Sequence, residues 1–172
     1  AIGVSYQMHG LVLVNKKIIT QRTFRKAESA ARAFANAELQ KTGMKPIDFS
    51  SSANVLLRRD LARGTLTFLI EDYLVGEGGK ELVQNFDKQV YLRIEDALAK
   101  GKNTEAAAKL VYGLSLKDFR TLVLRPQARR DVVAEALKEK NQEFFNWLLA
   151  QKKNASVQVV FIDFRWTGGT IE

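Results

Sequence analysis

Apolar side chains recur every three or four residues along most of the chain, which is the spacing of one face of an α-helix. Glycine and proline divide this pattern: Gly43 and Pro46 close the first helix, and Gly101 closes the third. The pattern predicts five helical segments: Phe24 to about Lys41, Val55–Val75, Lys80–Lys100, Thr104 to about Tyr112, and Leu116 to about Gln151. Pro126 removes one backbone hydrogen bond from the last segment, so we expect a kink or break near Leu124.

Both ends of the chain carry strand patterns instead. Leu11–Val14 is short, apolar and half β-branched, and a polar turn at 15–17 separates it from Ile18. In Ser156–Trp166, the apolar residues Val157, Val159 and Phe161 alternate first with Gln158 and then with Val160 and Ile162. Because a lone strand is not stable, we expect these two segments to pair across the helical body. The sequence therefore predicts a mainly α fold: a single domain over residues 1–172, with about five helices and a small antiparallel sheet that pairs the N- and C-terminal strands.

Local rules give three further expectations. Gly64 lies in the middle of the second helix, where glycine costs about 1 kcal/mol relative to alanine, and this predicts close contact with another helix. The run GEGG at 76–79 matches no phosphate-binding motif and predicts the end of that helix. Ser115, three residues before Asp118, predicts an N-terminal cap.

Composition limits the chemistry. The chain has 172 residues, 46% hydrophobic and 27% charged, which is typical of one globular domain. It contains no cysteine and a single histidine, His9, so thiolate zinc sites, a cysteine nucleophile and multi-histidine metal sites are excluded. Neighbouring carboxylates such as Glu71 and Asp72 point about 100° apart on a helix, which does not suit paired acid–base work. We therefore predict a non-enzymatic protein that uses no metal and no cofactor.

The positive charge is the first indication of a partner. The chain has 27 basic and 19 acidic residues, a net charge of +8, and the segment from Lys100 to Lys153 holds twelve basic against six acidic residues. Such a face can bind nucleic acid or an anionic membrane surface, although the interleaved acids also suit a plain solvated face. The candidate residues for an anionic partner are Arg125, Arg129, Arg130 and Lys138.

Apolar residues away from the helical stripes are the second indication. Five of them fall in a polar loop or at the edge of a stripe: Met44, Ile47, Phe49, Tyr73 and Tyr91. They either fold back onto the core or line a groove for apolar peptide segments, in which methionine offers an adaptable contact.

Three segments in this order resemble the N-terminal domain of SurA-type chaperones. They are VLVNKKIIT at 12–20 with Phe24 after it, the helix from Leu57 to Leu74 that begins LRRDL, and YGLSLKDFR at 112–120 ahead of a long helix and a closing strand. Two departures stand out. Lys16 occupies a turn position where the family often has glycine, and no parvulin domain follows, so prolyl isomerase activity is not implied.

The resemblance implies ATP-independent binding of unfolded or extended polypeptides and no small-molecule substrate. It also implies the bacterial periplasm or cell envelope. No stretch approaches the roughly 20 apolar residues of a membrane span. The chain opens with Ala1 and no initiator methionine, which we interpret as a trimmed or processed product, and any signal or anchor upstream would lie outside this sequence. The alternative function is that of a basic helical adaptor for nucleic acid or an anionic membrane surface.

Overall fold

Helices make up most of the described residues in the computed structural model, which covers residues 10–101, 104–160 and 164–172. The α-helices are α1 (Gln21–Lys41), α2 (Val55–Leu82), α3 (Phe86–Lys100), α4 (Thr104–Tyr112), α5 (Leu116–Phe119), α6 (Arg125–Glu139) and α7 (Phe144–Asn154). A single 3₁₀ turn at Ser52–Asn54 precedes α2, and a π-helical segment at Arg120–Leu124 joins α5 to α6. The predicted mainly α class is confirmed.

The chain ends meet in a three-stranded antiparallel sheet. Its strands are β1 (Gly10–Val14), β2 (Lys17–Thr20) and β3 (Val157–Val159), and β1 lies in the centre. Val12 pairs with Val159 and Val14 with Val157, which confirms the pairing expected of the two terminal strands. Of the described residues within the predicted strand at 156–166, those at 157–159 belong to this sheet, and residues 161–163 lie outside the described chain. A separate hairpin follows, formed by β4 (Trp166–Thr167) and β5 (Thr170–Ile171).

The turn between β1 and β2 has left-handed backbone at both central residues. Asn15 has φ +46° and Lys16 has φ +70°. A two-residue hairpin turn with positive φ at both positions matches the right-handed twist of its strands, and it strongly favours Asn-Gly. Lys16 therefore holds a conformation that glycine adopts more easily.

Helix ends follow general capping rules at three places. The hydroxyl of Thr20 accepts a hydrogen bond from the Thr23 backbone N–H at 3.2 Å and begins α1. Gly43, with φ +76°, lies just beyond the end of that helix. The Ser115 hydroxyl accepts from the Asp118 N–H at 3.2 Å, which confirms the predicted cap of α5.

The prediction that the glycine run at 76–79 ends the second helix is wrong. Helix α2 continues to Leu82, with the three glycines of the run buried. A methyl group on Gly79 would lie 2.5 Å from the Phe86 ring, and one on Gly78 would lie 2.7 Å from the Trp147 ring. These glycines therefore allow close packing on neighbouring aromatic rings.

Two helix boundaries also differ from the sequence pattern. The third helix begins at Phe86 rather than at Lys80, after a break at Val83–Asn85 in which Asn85 has φ +55°. The predicted helix from 116 to 151 is interrupted by the π-helical segment before Arg125, close to the expected site near Leu124. A second break, which the pattern did not predict, falls where Asn141 has φ +55°.

Buried side chains form three clusters. The first joins β1 and β2 to α1 and the middle of α2, around Val12, Val14, Leu66 and Ile70. The second packs the end of α2 with α3, α6 and α7, and the third packs α1 with α4 and α5. Within the described residues, the helices are too short or too polar to cross a membrane.

Candidate functional site

A groove of about 710 Å³ runs between α1, α2 and the start of α6. Helix α1 contributes four residues from one of its faces, namely Ala27, Ala30, Ala31 and Phe34. Helix α2 contributes Asp60, Leu61, Gly64, Thr65 and Phe68. The third side is formed by Tyr112, the π-helical residues Leu122, Val123 and Leu124, and then Pro126, Gln127 and Arg130.

Small residues hold the groove open between α1 and α2. Gly64 was predicted to contact another helix closely, and this prediction is wrong: a methyl group built on it would have no atom within 4 Å. On α1, alanines at 27, 30 and 31 face the same space. Because none of these side chains extends beyond Cβ, the two helices leave a channel between them where larger residues would close it.

An aromatic pair forms one part of the wall. The rings of Phe34 and Tyr112 stack with centroids 5.2 Å apart and planes 12° apart. Tyr112 also packs on Phe119 of the third core cluster, with centroids 5.3 Å apart. Phe34 remains 39% exposed, so its ring is available to a ligand while its partner is fixed to the core.

The π-helical segment shapes the third side. The Arg125 N–H bonds to the Arg120 carbonyl, five residues back rather than four. Pro126 follows, and its lack of an N–H removes the next donor of the helix. A π-turn inserts an extra residue into the helix, and such turns are frequent at functional sites. Here it places three consecutive apolar residues, Leu122 to Leu124, on the groove.

Several polar groups of the lining are bonded within the protein. The Thr65 hydroxyl donates to the Leu61 carbonyl at 2.8 Å. Asp60 accepts from Arg63 at 2.9 Å, and its side chain is 63% exposed. The surface of the groove is therefore mainly apolar.

Arg130 lies at the end of the groove near Phe68. Its guanidinium group is 5.7 Å from the centre of that ring and 5.9 Å from the centre of the Phe144 ring. Its Nη2 donates to Glu71 Oε2 at 2.9 Å, while Lys152 donates to the other carboxylate oxygen of Glu71 at 2.8 Å. The Glu71 carboxylate thus forms ion pairs with two cationic side chains.

The predicted basic face is divided between two environments. Arg129 and Arg130 are largely buried in ion pairs with Asp72 and Glu71, whereas Arg125 and Lys138 are exposed. Arg125 and Lys138 are thirteen residues apart on α6, about 20 Å along its axis. The four residues therefore do not form one continuous free surface for an anion.

The five apolar residues predicted to bind peptide do not line the groove. Phe49 is buried beneath the Arg32 guanidinium, at 5.5 Å from its ring centre. Tyr73 is half-buried against the first core cluster. Met44 and Tyr91 are exposed, at 54% and 56%.

Ile47 is the fifth of these residues, and its backbone is fixed to α1. Its N–H donates to Asn36 Oδ1 at 2.7 Å, and its carbonyl accepts from Asn36 Nδ2 at 3.2 Å. The loop that contains Ile47 and Phe49 thus folds back onto the helices, which is the alternative that the pattern left open. The side chains that do line the groove lie on the helical stripes, where the sequence pattern predicted core.

Comparison with known proteins adds no relative, since no family model, curated protein or solved structure matches the chain. The resemblance to SurA-type chaperones therefore stays an expectation from the sequence.

Proposed function

We propose that the protein binds apolar segments of unfolded or extended polypeptides in the groove between α1, α2 and α6, without ATP and without covalent chemistry. The observation that carries this proposal is the apolar lining of a groove of about 710 Å³. That volume lies within the range of about 300–1,000 Å³ typical of ligand sites. The groove is open to solvent along the protein surface, so a polypeptide segment can lie along it.

The dimensions suit a short stretch of polypeptide. Along α2, the lining extends from Asp60 to Phe68, a rise of about 12 Å. Four residues of an extended chain span roughly the same distance. Because most of the lining is apolar, recognition would rest on apolar side chains and tolerate many sequences.

Weak, reversible binding is the expected strength. Burying a leucine or phenylalanine side chain contributes about 1.5–3 kcal/mol, and ordering a flexible segment offsets much of that gain. Two or three buried side chains therefore give affinities of about micromolar to millimolar. Holding by mass action needs no nucleotide, because occupancy follows the concentration of exposed client segments. The periplasm or cell envelope, as the site of action, rests on the SurA-type resemblance alone.

The test is fluorescence anisotropy of a labelled, permanently unfolded polypeptide titrated with the protein. Gly64→Leu would fill the groove, whereas Gly64→Ala adds a single methyl group in open space. We expect Gly64→Leu to weaken binding about tenfold or more and Gly64→Ala to change it by less than about threefold. Lys88→Leu, on the exposed face of α3, is the matched control for an added leucine.

Two further measurements separate this function from its alternatives. Binding through apolar contacts should persist at about 0.3 M salt, whereas binding to phosphates weakens steeply. Met44→Ser and Tyr91→Ala test the exposed apolar residues outside the groove. If these two variants lose binding while Gly64→Leu keeps it, the groove is not the site. No saturable binding by the unaltered protein would overturn the proposal itself.

A further inference from the structure

The two ends of the groove differ in charge. At the α6 end, Glu71 is the shared partner of Arg130 at 2.9 Å and Lys152 at 2.8 Å. All three side chains are largely buried, with exposures of 17%, 27% and 14%. Two cations with one carboxylate leave this cluster with one positive charge.

Of the charges nearby, Asp131 accepts a hydrogen bond from groove-lining Gln127 at 2.8 Å and offsets this positive charge, whereas Arg125 restores it. Arg129 and Asp72 neutralise each other across 2.9 Å. Arg125 is exposed in the first turn of α6, between groove-lining Leu124 and Pro126. Burial raises the pKa of Asp72, and the charges of Arg129 and then Arg125 oppose that rise, so Arg125 also lies within electrostatic range of this end. The α6 end therefore has an excess of positive charge.

The opposite end has a balanced pair at its lining. Asp60 contributes the carboxylate, and Arg63, one helical turn later, holds it at 2.9 Å. The preceding residues Arg58 and Arg59 do not line the groove. Arg58 donates to a backbone carbonyl of the loop before α2, and Arg59 lies over an aromatic ring near the C-terminus.

We infer that the groove selects among polypeptide segments by charge, and that it favours an apolar segment with an acidic side chain beside it, placed at the α6 end near Arg125 and Arg130. This inference rests on the proposed function and adds the class of client to it. The apolar core of the segment supplies the affinity, while the adjacent carboxylate sets the preference and the direction in which the segment lies.

The test uses labelled peptides that share a core of four apolar residues, Leu-Phe-Leu-Phe. Each peptide carries Glu, Gln or Lys next to the core, in one series before it and in a second series after it. At about 0.05 M salt we expect the Glu peptide of at least one series to bind about three- to tenfold more tightly than its Gln counterpart, and the Lys peptide to bind more weakly. At about 0.5 M salt the preference should shrink below about twofold, because the Debye length falls to about 4 Å, while the Gln peptide still binds.

Two variants that each remove one positive charge test where on the protein the preference for Glu peptides arises. Arg125→Gln and Lys138→Gln each remove one exposed cation of α6, but Lys138 is about 20 Å further along the helix. We expect the ratio of Glu to Gln binding to fall about two- to threefold in Arg125→Gln and to be unchanged in Lys138→Gln. An effect of equal size in both variants would mean that net charge, not the α6 end, sets the preference, and would overturn the inference.

The experiment distinguishes failure of the charge preference from failure of the proposed function. If all peptides bind and Glu, Gln and Lys do not differ, the charge preference is wrong and the proposed function stands. If the Lys peptides bind best, the inferred polarity is wrong. If neither the peptides nor the unfolded polypeptide bind, the proposed function fails, and the inference fails with it.

Discussion

The Nη1 atom of Arg129 lies 2.9 Å from Oδ2 of Asp72, in the contact between α6 and α2. Both side chains are at least four-fifths buried. Gly76, one turn after Asp72, lies beneath the guanidinium group, since a methyl group there would be 3.0 Å from Arg129 Cζ. The glycine thus makes room for the ion pair that joins the two helices behind the groove.

Removing one member of this pair should destabilise the protein. Arg129→Ala leaves the Asp72 carboxylate buried without its partner, and we expect a loss of about 3 kcal/mol in the free energy of unfolding at pH 7.5. Asp72→Asn in the same background removes the unpaired charge and should restore part of that loss. Denaturant unfolding of the four proteins in this cycle measures both effects.

The loss should also depend on pH. Burial raises the pKa of Asp72 above its ordinary value, against the opposing charge of Arg129. For a carboxyl group with a raised pKa, the stability contribution is complete below the unfolded pKa of about 3.9 and is lost as the pH rises through the folded value. Without Arg129 the carboxyl pKa rises further, so Arg129→Ala should be less damaging near pH 4.5 than at pH 7.5. A penalty that is larger at pH 4.5 would contradict this account.

Two glycines of α2 should respond to alanine in opposite directions. Gly79→Ala puts a methyl group 2.5 Å from the Phe86 ring and should lower the free energy of unfolding by about 1–3 kcal/mol. Gly64→Ala meets open space in mid-helix and should raise it by about 0.5–1 kcal/mol. Thermal and denaturant unfolding of the two variants test the contrast, and two losses of equal size would contradict it.

Replacing Lys16 with glycine should stabilise the β1–β2 hairpin. Lys16 has φ +70°, a conformation that costs a non-glycine residue about 1 kcal/mol. Lys16→Gly should therefore raise the free energy of unfolding by up to about 1 kcal/mol. Lys17→Gly, at the adjacent first residue of β2, is the matched control and should be neutral or destabilising because glycine weakens a strand.

The cap of α5 gives a second prediction for acid conditions. Asp118 accepts from Lys26 at 2.8 Å and from the Ser115 hydroxyl, and these bonds, that of Lys26 first, lower its pKa. Stability from a lowered carboxyl pKa is present above the unfolded value of about 3.9 and is lost as the pH falls through the folded value. Asp118→Asn should therefore cost up to about 1 kcal/mol at pH 7 and less near pH 3.

Lys26→Met should produce much of the same loss at pH 7. Because the two changes remove one shared interaction, the double variant should lose less than the sum of the single losses. Additive losses would show that Lys26 and Asp118 act independently.

The sequence could predict the features that depend on local rules. Thr20, Ser115 and Gly43 act through backbone groups within a few residues, so their caps are visible in the pattern. The pairing of the two terminal strands could be predicted because a lone strand is not stable and neither strand had another partner in the sequence.

The groove could not be predicted in the same way. The glycines of α2 cannot be told apart by sequence pattern, yet Gly64 faces open space, Gly76 faces the Arg129 guanidinium, and those at 78 and 79 face aromatic rings. Which neighbour a glycine meets is decided by tertiary packing and not by its own helix. Likewise, the stripe around Ala31 and Phe34 looks like core, but only the arrangement of three helices leaves it half open.

The pairing of β1 with β3 has a consequence for how the molecule resists force. The two strands are antiparallel, with Val12 opposite Val159 and Val14 opposite Val157. The start of β1 therefore lies beside the end of β3. Tension applied to the two chain termini would pull on this one end of the strand pair and break its hydrogen bonds one after another. We expect β1 and β3 to separate at a low pulling force, before the helices that enclose the groove unfold.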